Sequence, residues 1–345
     1  MNSEQQEASL REGELCPPEA SAGLERILVL SAEYAVQQNV AALKFGGSSL
    51  LGAERMLHAA RLVQDEFQTR PVTVVVSAMK GVTDKLLHVG HLLEQGQNEL
   101  AHKEAQAIAE LHESTLRDLL LNSQEHKRVA EDLDLLTSDL LHETPQRGHV
   151  EVNSALLDRL ASFGERYATR LFAAALGKIP VTAVPVASSD FVLTCDNFRN
   201  AQPHLEQTRR RGRQILLPLL EAGIVPVVTG FIGATHDGRI TTLGRNSSDF
   251  SGALIAHIVD AEELVIWTDV DGIYTANPND SAEAKLLHEL SYDEAHALAA
   301  SGAKVLHPHV LPLAAQTEMT VWVKNTFKPH VRGTRIGAQL TGGLA

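Results

Sequence analysis

The side chains best suited to chemistry lie in residues 241–251, whose sequence is TTLGRNSSDFS. A glycine turn carries Arg245, and small polar residues then lead to Asp249 at the start of an apolar run. Small residues at a helix start leave backbone N–H groups open, and the helix dipole there favours an anion. Arg245 can grip a carboxylate or phosphate through two parallel hydrogen bonds, and Asp249 is suited to orienting lysines. The same pattern also fits an ordinary loop before a Ser-capped helix.

A second candidate is the glycine loop in residues 41–49, with sequence AALKFGGSS. It predicts a short strand ending in Lys44, then Gly46, Gly47 and Ser48, before a helix over about residues 53–69. A strand, glycine loop and helix in this order can cradle phosphate. The lysine precedes the glycines, so this is not a Walker A loop, and no G-x-G-x-x-G supports a dinucleotide site. A solvated strand-end lysine remains the alternative.

A third candidate is Glu165, within SFGER at residues 162–166. Residues 154–176 predict a helix that these residues interrupt. A glycine inside a helix costs about 1 kcal/mol, which indicates that something approaches the backbone closely there. Glu165 is a candidate partner for a substrate ammonium, and a surface pair with residues 169–170 is the alternative.

Around these candidate residues, predicted strands and helices alternate along the chain. Strands are predicted at residues 72–76, 181–186, 224–229, 264–269 and 320–325, and helices at 203–222, 249–259 and 291–300. This order predicts an α/β fold with a mostly parallel sheet and helices on both faces. Ligands bind at the carboxyl ends of such strands, where residues 77–84 form a polar turn.

Residues 97–142 lack proline and glycine and predict a helical hairpin over the sheet. His102, His112 and His142 are therefore predicted to be surface residues and not metal ligands. Asp237 and Gly238 predict a hairpin turn.

Composition limits the function classes. The chain has 345 residues, 44% hydrophobic and 21% charged, with 43 acidic and 30 basic residues, for a net charge of −13. This charge argues against nucleic-acid or anionic-membrane partners. The two cysteines form no metal or redox spacing, and neither a signal core nor a membrane-length apolar run occurs. We expect a cytoplasmic protein.

The N-terminal part differs in composition from the rest. Residues 1–22 are rich in Glu, Ser and Pro and predict a disordered acidic tail. Residues 23–40 carry apolar side chains at helical spacing and predict an extra helix, either docked on the fold or contacting a partner. Residues 41–340 form the predicted main domain, with a soft boundary near residue 240.

Together these stretches resemble the aspartokinases of the amino-acid kinase family, over about residues 41–340. The resemblance rests on six motifs in order, at residues 44–49, 77–83, 163–166, 241–251, 267–274 and 302–308. It is nearest to the kinase part of bifunctional aspartokinase–homoserine dehydrogenases. The resemblance implies the three-layer αβα fold of this family, with an aspartate-binding lobe at 41–240 and an ATP-binding lobe at 241–340. It also implies an enzyme, aspartate kinase, that transfers the ATP γ-phosphoryl group to the β-carboxylate of L-aspartate. That reaction is the first step of biosynthesis of the aspartate-family amino acids, which include lysine, threonine and methionine.

The resemblance also implies residue roles. Lys44 and Lys304 contact the transferring phosphoryl group and the nucleotide phosphates, and Asp249 holds these lysines in place. The aspartate site comprises Ser48, Thr83, Glu165 and Arg245. The nucleotide site comprises Lys44, Gly46, Gly47, Thr268, Asp269, Tyr274 and Lys304. Mg²⁺ is expected on ATP oxygens without a dedicated protein site, and a homodimer is the assembly implied.

Departures from the family pattern leave two alternatives open. Asn279 stands where the family has an arginine, and Ser247 stands where glycine is usual, so weaker ATP binding and a crowded loop are expected. The chain ends where regulatory domains would begin, so we expect no lysine or threonine feedback. The alternatives are a kinase for another small acidic amino acid, and a catalytically weak ligand-binding or partner subunit.

Overall fold

The computed structural model describes residues 39–121, 124–245, 247–276, 283–300 and 306–338. The predicted tail, residues 23–38 of the predicted N-terminal helix and Lys304 lie outside these residues, and residues 39–40 are not helical. The strands are β1 Ala41–Phe45, β2 Val72–Val76, β3 Ala183–Val186, β4 Val225–Thr229, β5 Ile232–Ala234, β6 Ile240–Thr242, β7 Glu263–Thr268, β8 Ile273–Tyr274, β9 Leu286–Leu287, β10 Glu289–Ser291, β11 Thr320–Asn325 and β12 Thr334–Gly337.

The helices connect these strands along the chain. They are α1 Gly52–Phe67, α2 Val82–Glu94, α3 Asn98–Leu119, α4 Gln124–Glu143, α5 Ser154–Gly177, α6 Leu205–Glu221, α7 Ser248–Ile258, α8 Tyr292–Ala300 and α9 Val310–Gln316. A 3-10 turn at Gly47–Leu50 follows β1. Within the described ranges, no helix is both long and apolar enough to span a membrane.

Eight strands of the described chain form one sheet in the order β10-β12-β11-β7-β1-β2-β4-β3. The six strands from β11 to β3 are parallel, and β12 joins β11 in the antiparallel direction. The predicted mostly parallel sheet is therefore confirmed. The carboxyl ends of six strands lie at one edge, which is where such sheets bind ligands.

Side chains of the central strands alternate between two apolar cores. In β1, Leu43 and Phe45 belong to the core beneath α1 to α5, whereas Ala42 belongs to the core beneath α6 to α9. Alternate residues of a strand point to opposite faces, so the sheet lies between two helical layers. This three-layer arrangement agrees with the predicted fold class.

Most predicted elements are present, and two details of the helical layer were wrong. The helical hairpin is present as α3 and α4, and the Asp237-Gly238 turn joins β5 to β6. Helix α5, however, runs without interruption from Ser154 to Gly177. His112 is fully buried and stacks on Tyr167 at 4.4 Å between ring centroids. The prediction of a surface histidine failed because His112 lies on the inward face of α3, where an aromatic partner covers it.

Candidate active site

Loops from neighbouring strands meet at the carboxyl edge of the sheet. The N–H of Gly46 donates to Trp267 O at 3.1 Å, which joins the loop after β1 to the end of β7. The N–H of Lys80 donates to Gly47 O at 3.1 Å, which joins the same loop to the turn before α2. The polar turns predicted from separate parts of the sequence therefore line one site.

Lys44 lies on the α7 side of the sheet. Its position in β1 matches that of Ala42, so its side chain points away from Phe45 and towards α7. There Lys44 Nζ lies 2.7 Å from Asp249 Oδ1, and the lysine side chain is only 7% exposed. A Cβ atom at Gly252 would lie 3.1 Å from Lys44 Cβ, so this glycine lets α7 pack against β1. The interpretation of Lys44 as a solvated strand-end residue is therefore wrong.

The two glycines after β1 have different surroundings. A Cβ at Gly47 would lie 2.5 Å from the carbonyl oxygen of Ala78, which no real Cβ tolerates. A Cβ at Gly46 would lie 3.6 Å from Lys44 Nζ and from Trp267 O, which is ordinary contact. Gly47 thus allows the loop after β1 to contact the turn before α2. At Gly46, the backbone lies next to the Lys44 ammonium.

Glu165 enters the site from the opposite helical layer. Its side chain is buried, and the N–H of Ala78 donates to its carboxylate. The Oε2 atom is buried and has no hydrogen-bond partner among the residues that the structure describes. Burial raises the pKa of this carboxyl to about 8, although the Lys44 charge acts in the other direction. A buried carboxyl with an unpaired oxygen can accept a cationic group, and the alternative of a surface pair is wrong.

Gly164 explains the tolerance of a glycine inside α5. A Cβ at this position would lie 2.6 Å from Ala78 Cβ and 3.3 Å from Val82 Cγ1. The expected close approach to the helix backbone is therefore present, and the approaching group is the turn that leads into α2. This contact places Glu165 next to the loop at residues 77–81.

Arg245 is at the rim of the site. Its guanidinium Nη2 lies 3.7 Å from Asp84 Oδ1 on α2, and both side chains are about four-fifths exposed. The preceding Gly244 has φ +96°, a left-handed conformation that favours glycine. Within the described part of the chain, the exposed guanidinium has one weak surface pair, which leaves it available for an anion.

Ser48 and Thr83 flank the same loops. Ser48 lies half-buried in the 3-10 turn after β1, and its carbonyl accepts a hydrogen bond of 2.8 Å from Arg55. Thr83 is half-buried in the first turn of α2, one residue before Asp84. Ser48 thus directly follows Gly47, and Thr83 lies at the start of the helix that follows the loop of Lys80.

The predicted nucleotide residues follow β7 at the same edge. Thr268 ends β7, Asp269 is exposed next to it, and Tyr274 is half-buried in β8. Between them, Asp271 Oδ1 accepts a hydrogen bond of 2.5 Å from Asn325 Nδ2, which ties this loop to the end of β11. The loop after β7 is therefore anchored, and Asp269 is left at its surface.

Some predicted features lie outside the described residues. They are Lys304 and Asn279. Ser247 is described and fully buried, and its backbone carbonyl accepts from the N–H of Ser251 at 2.8 Å. Among the described residues, no group of three or more His, Cys, Asp or Glu side chains is placed to hold a metal.

Phe231 is a site residue that the sequence did not reveal. It follows β4 at the carboxyl edge with φ +67°, a strained conformation for a non-glycine residue. Its N–H donates to Ser251 Oγ at 2.8 Å, and its carbonyl accepts from the N–H of Leu243 at 2.9 Å. Phe231 thus connects α7 to the loop of Arg245. The one sequence feature that pointed to Phe231 is its position directly after a predicted strand and a glycine.

The fold and the convergent loops are those of a known protein family. Residues 39–325 match the model of the amino acid kinase family, and the chain belongs to that family. This match shows which class of protein the chain is.

Relatives within the family are aspartokinases. The chain is 33% identical over 296 residues to lysine-sensitive aspartokinase 3 of Escherichia coli, covering 85% of this chain and 63% of the relative. It is 37% identical over 299 residues to the chloroplastic aspartokinase 3 of Arabidopsis thaliana, covering 85% of this chain and 52% of the relative. The chain thus spans about half to two thirds of the length of these relatives.

Solved structures give the same result. The crystal structure of E. coli aspartokinase III in complex with aspartate and ADP is similar, with a TM-score of 0.75 and 32% identity. The match covers 88% of this chain and 65% of that chain. The T-state structure of the same enzyme, with lysine and aspartate, gives a TM-score of 0.77 at 31% identity over 88% of this chain and 65% of that one. These similarities confirm the resemblance to aspartokinases.

Proposed function

We propose that this chain is an aspartate kinase, which transfers the γ-phosphoryl group of ATP to the β-carboxylate of L-aspartate. The observation that carries the proposal is the ion pair between buried Lys44 and Asp249, in a site that also contains the unpaired Oε2 of Glu165. A charged lysine at this edge suits phosphoryl transfer, and a buried acid beside it suits an amino-acid ammonium. The product, 4-phospho-L-aspartate, would begin biosynthesis of the aspartate-family amino acids.

The residues suit a mechanism without a general base. A carboxylate is already ionised at pH 7, so its oxygen can attack the γ-phosphorus directly. The difficulty lies in bringing two anions together and stabilising negative charge that spreads over the phosphoryl oxygens. Lys44 supplies positive charge there, and Asp249 fixes the position of the lysine ammonium.

Binding groups on two loops and two helices would orient aspartate. Glu165 pairs with its ammonium, and Arg245 takes its α-carboxylate with two parallel hydrogen bonds. Ser48 and Thr83 line the space between them. These contacts leave the β-carboxylate directed at Lys44. They orient its reacting oxygen towards the phosphoryl group.

The nucleotide would lie on the other side of Lys44. Gly46 and Gly47 offer backbone next to the phosphates, and Thr268, Asp269 and Tyr274 surround the rest of the nucleotide. Lys304 is proposed as a second phosphate-binding cation. We propose a homodimer as the assembly.

Mg²⁺ is proposed to arrive on ATP oxygens. The donor set suits this, since Asp249 and Asp269 are single carboxylates and the described residues contain no cage of three ligands. Mg²⁺ retains its waters readily and binds through one or two carboxylates plus phosphates. When bound, it neutralises phosphate charge.

Hydroxamate formation tests the proposal. The protein is incubated with Mg-ATP, hydroxylamine and L-aspartate, N-acetylglutamate or glutamate in parallel, and the trapped acyl phosphate and the released ADP are measured. We expect hydroxamate with aspartate only, in equal amount to ADP. Turnover with N-acetylglutamate or glutamate would assign a different acid, and a folded protein that binds ATP but turns over no acid would indicate a binding subunit.

A further inference from the structure

A buried carboxylate outside the substrate-binding set joins α5 to two loops. Asp158 on α5 is 2% exposed. Its Oδ2 accepts hydrogen bonds of 2.8 Å from the backbone N–H groups of Arg199 and Thr242, and its Oδ1 accepts one of 2.8 Å from Thr242 Oγ1. The three bonds connect segments distant in the chain and offset part of the cost of burial, which still raises the pKa of the Asp158 carboxyl.

The two segments bound by Asp158 also contact each other. The N–H of Ala201 donates to Thr242 O at 2.9 Å, and a Cβ at Gly244 would lie 2.9 Å from Asn200 Oδ1. Arg199 has φ +69° and Gly244 has φ +96°. Left-handed residues persist where their surroundings fix them, and Asp158 provides such a restraint on both segments.

Asp158 and Glu165 share one face of α5. They are seven residues apart, which is two helical turns, or about 10 Å along the axis. Thr242 is three residues before Arg245 in the chain. One rigid helix therefore carries both the acid proposed to bind the ammonium and the acid that holds the loop proposed to bind the α-carboxylate.

We propose that Asp158 is a positioning residue for substrate recognition, which sets the distance between the ammonium-binding Glu165 and the carboxylate-binding Arg245. This inference rests on the proposed function. Its consequence is selectivity for an α-amino acid, because one helix positions the binding groups for both the α-ammonium and the α-carboxylate of the substrate. Asp158 acts through Arg245 and does not touch the reacting atoms.

A double-mutant cycle tests this role. Asp158→Asn keeps the size of the side chain but replaces one acceptor oxygen with a donor that faces backbone N–H groups. We expect it to raise KM for aspartate about tenfold, with KM for ATP changed less than twofold. In an Arg245→Ala background the same change should alter KM for aspartate by less than twofold, because the loop then holds no carboxylate-binding group.

Controls separate positioning from stability. Asp260→Asn removes another carboxylate, which binds Arg209 and Arg213 beside the C-terminal end of α7. It should lower the melting temperature without changing KM for aspartate. If Asp158→Asn does not fold, Thr242→Val removes one of the three hydrogen bonds and should raise KM for aspartate about two- to threefold, with KM for ATP unchanged.

The outcomes distinguish this inference from the proposed function. A wild-type protein that forms no aspartate-dependent hydroxamate would overturn the proposed function itself. An active wild type in which Asp158→Asn leaves KM for aspartate unchanged, or lowers only kcat, would overturn the positioning role alone. The same holds if the effect of Asp158→Asn persists in full in the Arg245→Ala background.

Discussion

The ammonium of Lys44, in the strand β1, lies 2.7 Å from the carboxylate of Asp249, in the first turn of α7. The lysine is almost entirely buried, and the aspartate side chain is 22% exposed. Burying a lysine charge is costly unless an acid compensates for it. The pair therefore keeps a charged lysine at the carboxyl edge of the sheet, where the phosphoryl group is proposed to bind.

Loss of either member of this pair should slow turnover strongly without unfolding the protein. For Lys44→Ala and Asp249→Ala we expect kcat to fall about 10²- to 10³-fold, as for other groups that stabilise developing charge. The free energy of unfolding should fall by about 3–5 kcal/mol for Asp249→Ala, which leaves the buried lysine without its acid, and by less for Lys44→Ala. Hydroxamate assays and urea unfolding measure the two effects, with Asp139→Ala, which breaks a surface pair with Arg166, as the control. Near-full activity in either variant would remove Lys44 and Asp249 from the phosphoryl site.

Aspartate binding should depend on pH through Glu165. Burial raises the pKa of this carboxyl to about 8, so below pH 8 it is protonated and neutral in the free protein. Pairing with the substrate ammonium requires the ionised form, so binding releases a proton. KM for aspartate should therefore fall by up to about tenfold per pH unit as the pH rises from 6.5 to 8.

Glu165→Gln is the matched variant for this pH dependence. It should raise KM for aspartate at pH 8 and make KM independent of pH over the same range, because glutamine does not titrate. Steady-state kinetics at pH 6.5, 7.0, 7.5 and 8.0 provide the measurement. An unchanged pH profile in Glu165→Gln would place the ammonium site elsewhere.

Asp84 should weaken aspartate binding by competing for Arg245. The two side chains lie 3.7 Å apart and are exposed, so the pair is worth about 0.2–1 kcal/mol. Asp84→Asn should lower KM for aspartate about two- to fivefold at low ionic strength. The difference should disappear at high salt because exposed charges are screened. A KM that rises in Asp84→Asn would show that Asp84 supports Arg245 instead.

Replacement by alanine should destabilise the protein at Gly47 but not at Gly46. A Cβ at Gly47 would clash with the Ala78 carbonyl at 2.5 Å, and one at Gly46 would meet only ordinary contacts. We expect Gly47→Ala to lower the free energy of unfolding by about 1–3 kcal/mol, and Gly46→Ala to change it by less than about 0.5 kcal/mol. Thermal or urea unfolding of the pair is the measurement. Equal stabilities would show that the two loops do not touch as described.

His112 should make the fold sensitive to acid. Burial lowers its pKa to about 4, from an ordinary value of 6.5. Between pH 4 and 6.5, His112 binds a proton in the unfolded chain but not in the folded chain. The free energy of unfolding therefore decreases as the pH falls through this range. At pH 5 the loss is about 2 kcal/mol. His112→Phe should reduce the difference in unfolding free energy between pH 7.5 and pH 5 by this amount. An unchanged difference would assign the acid sensitivity to other groups.

Much of the site could be predicted because parallel strands impose a common edge. The motifs at Lys44, residues 77–83, Thr268 and Asp249 each follow a strand or begin a helix, and β-branched runs identify the strands themselves. Once the sheet is parallel, these ends must converge. The order of strands and helices in the sequence was therefore enough to predict that these loops converge.

The sequence did not predict which side chains are buried or which residues they contact in the neighbouring layer. The inward face of His112, the uninterrupted course of α5 and the contact of Gly164 with Ala78 depend on which helix packs against which loop. A local pattern reports the period of a helix, but it does not report what covers each face. The strained φ of Phe231 was hidden for the same reason, since hydrogen bonds from α7 and from the Arg245 loop fix it.

Local sequence patterns were enough to predict the fold class, the edge of the sheet at which the candidate site lies, and the candidate residues Lys44, Glu165, Arg245 and Asp249. These features follow from local propensity and from the geometry of parallel strands. The Lys44–Asp249 pair, the burial that raises the pKa of Glu165, and the hydrogen bonds from Thr242 to Asp158 became visible in the folded structure. Each of these joins groups distant in the chain, so it exists only after the two helical layers have packed against the sheet.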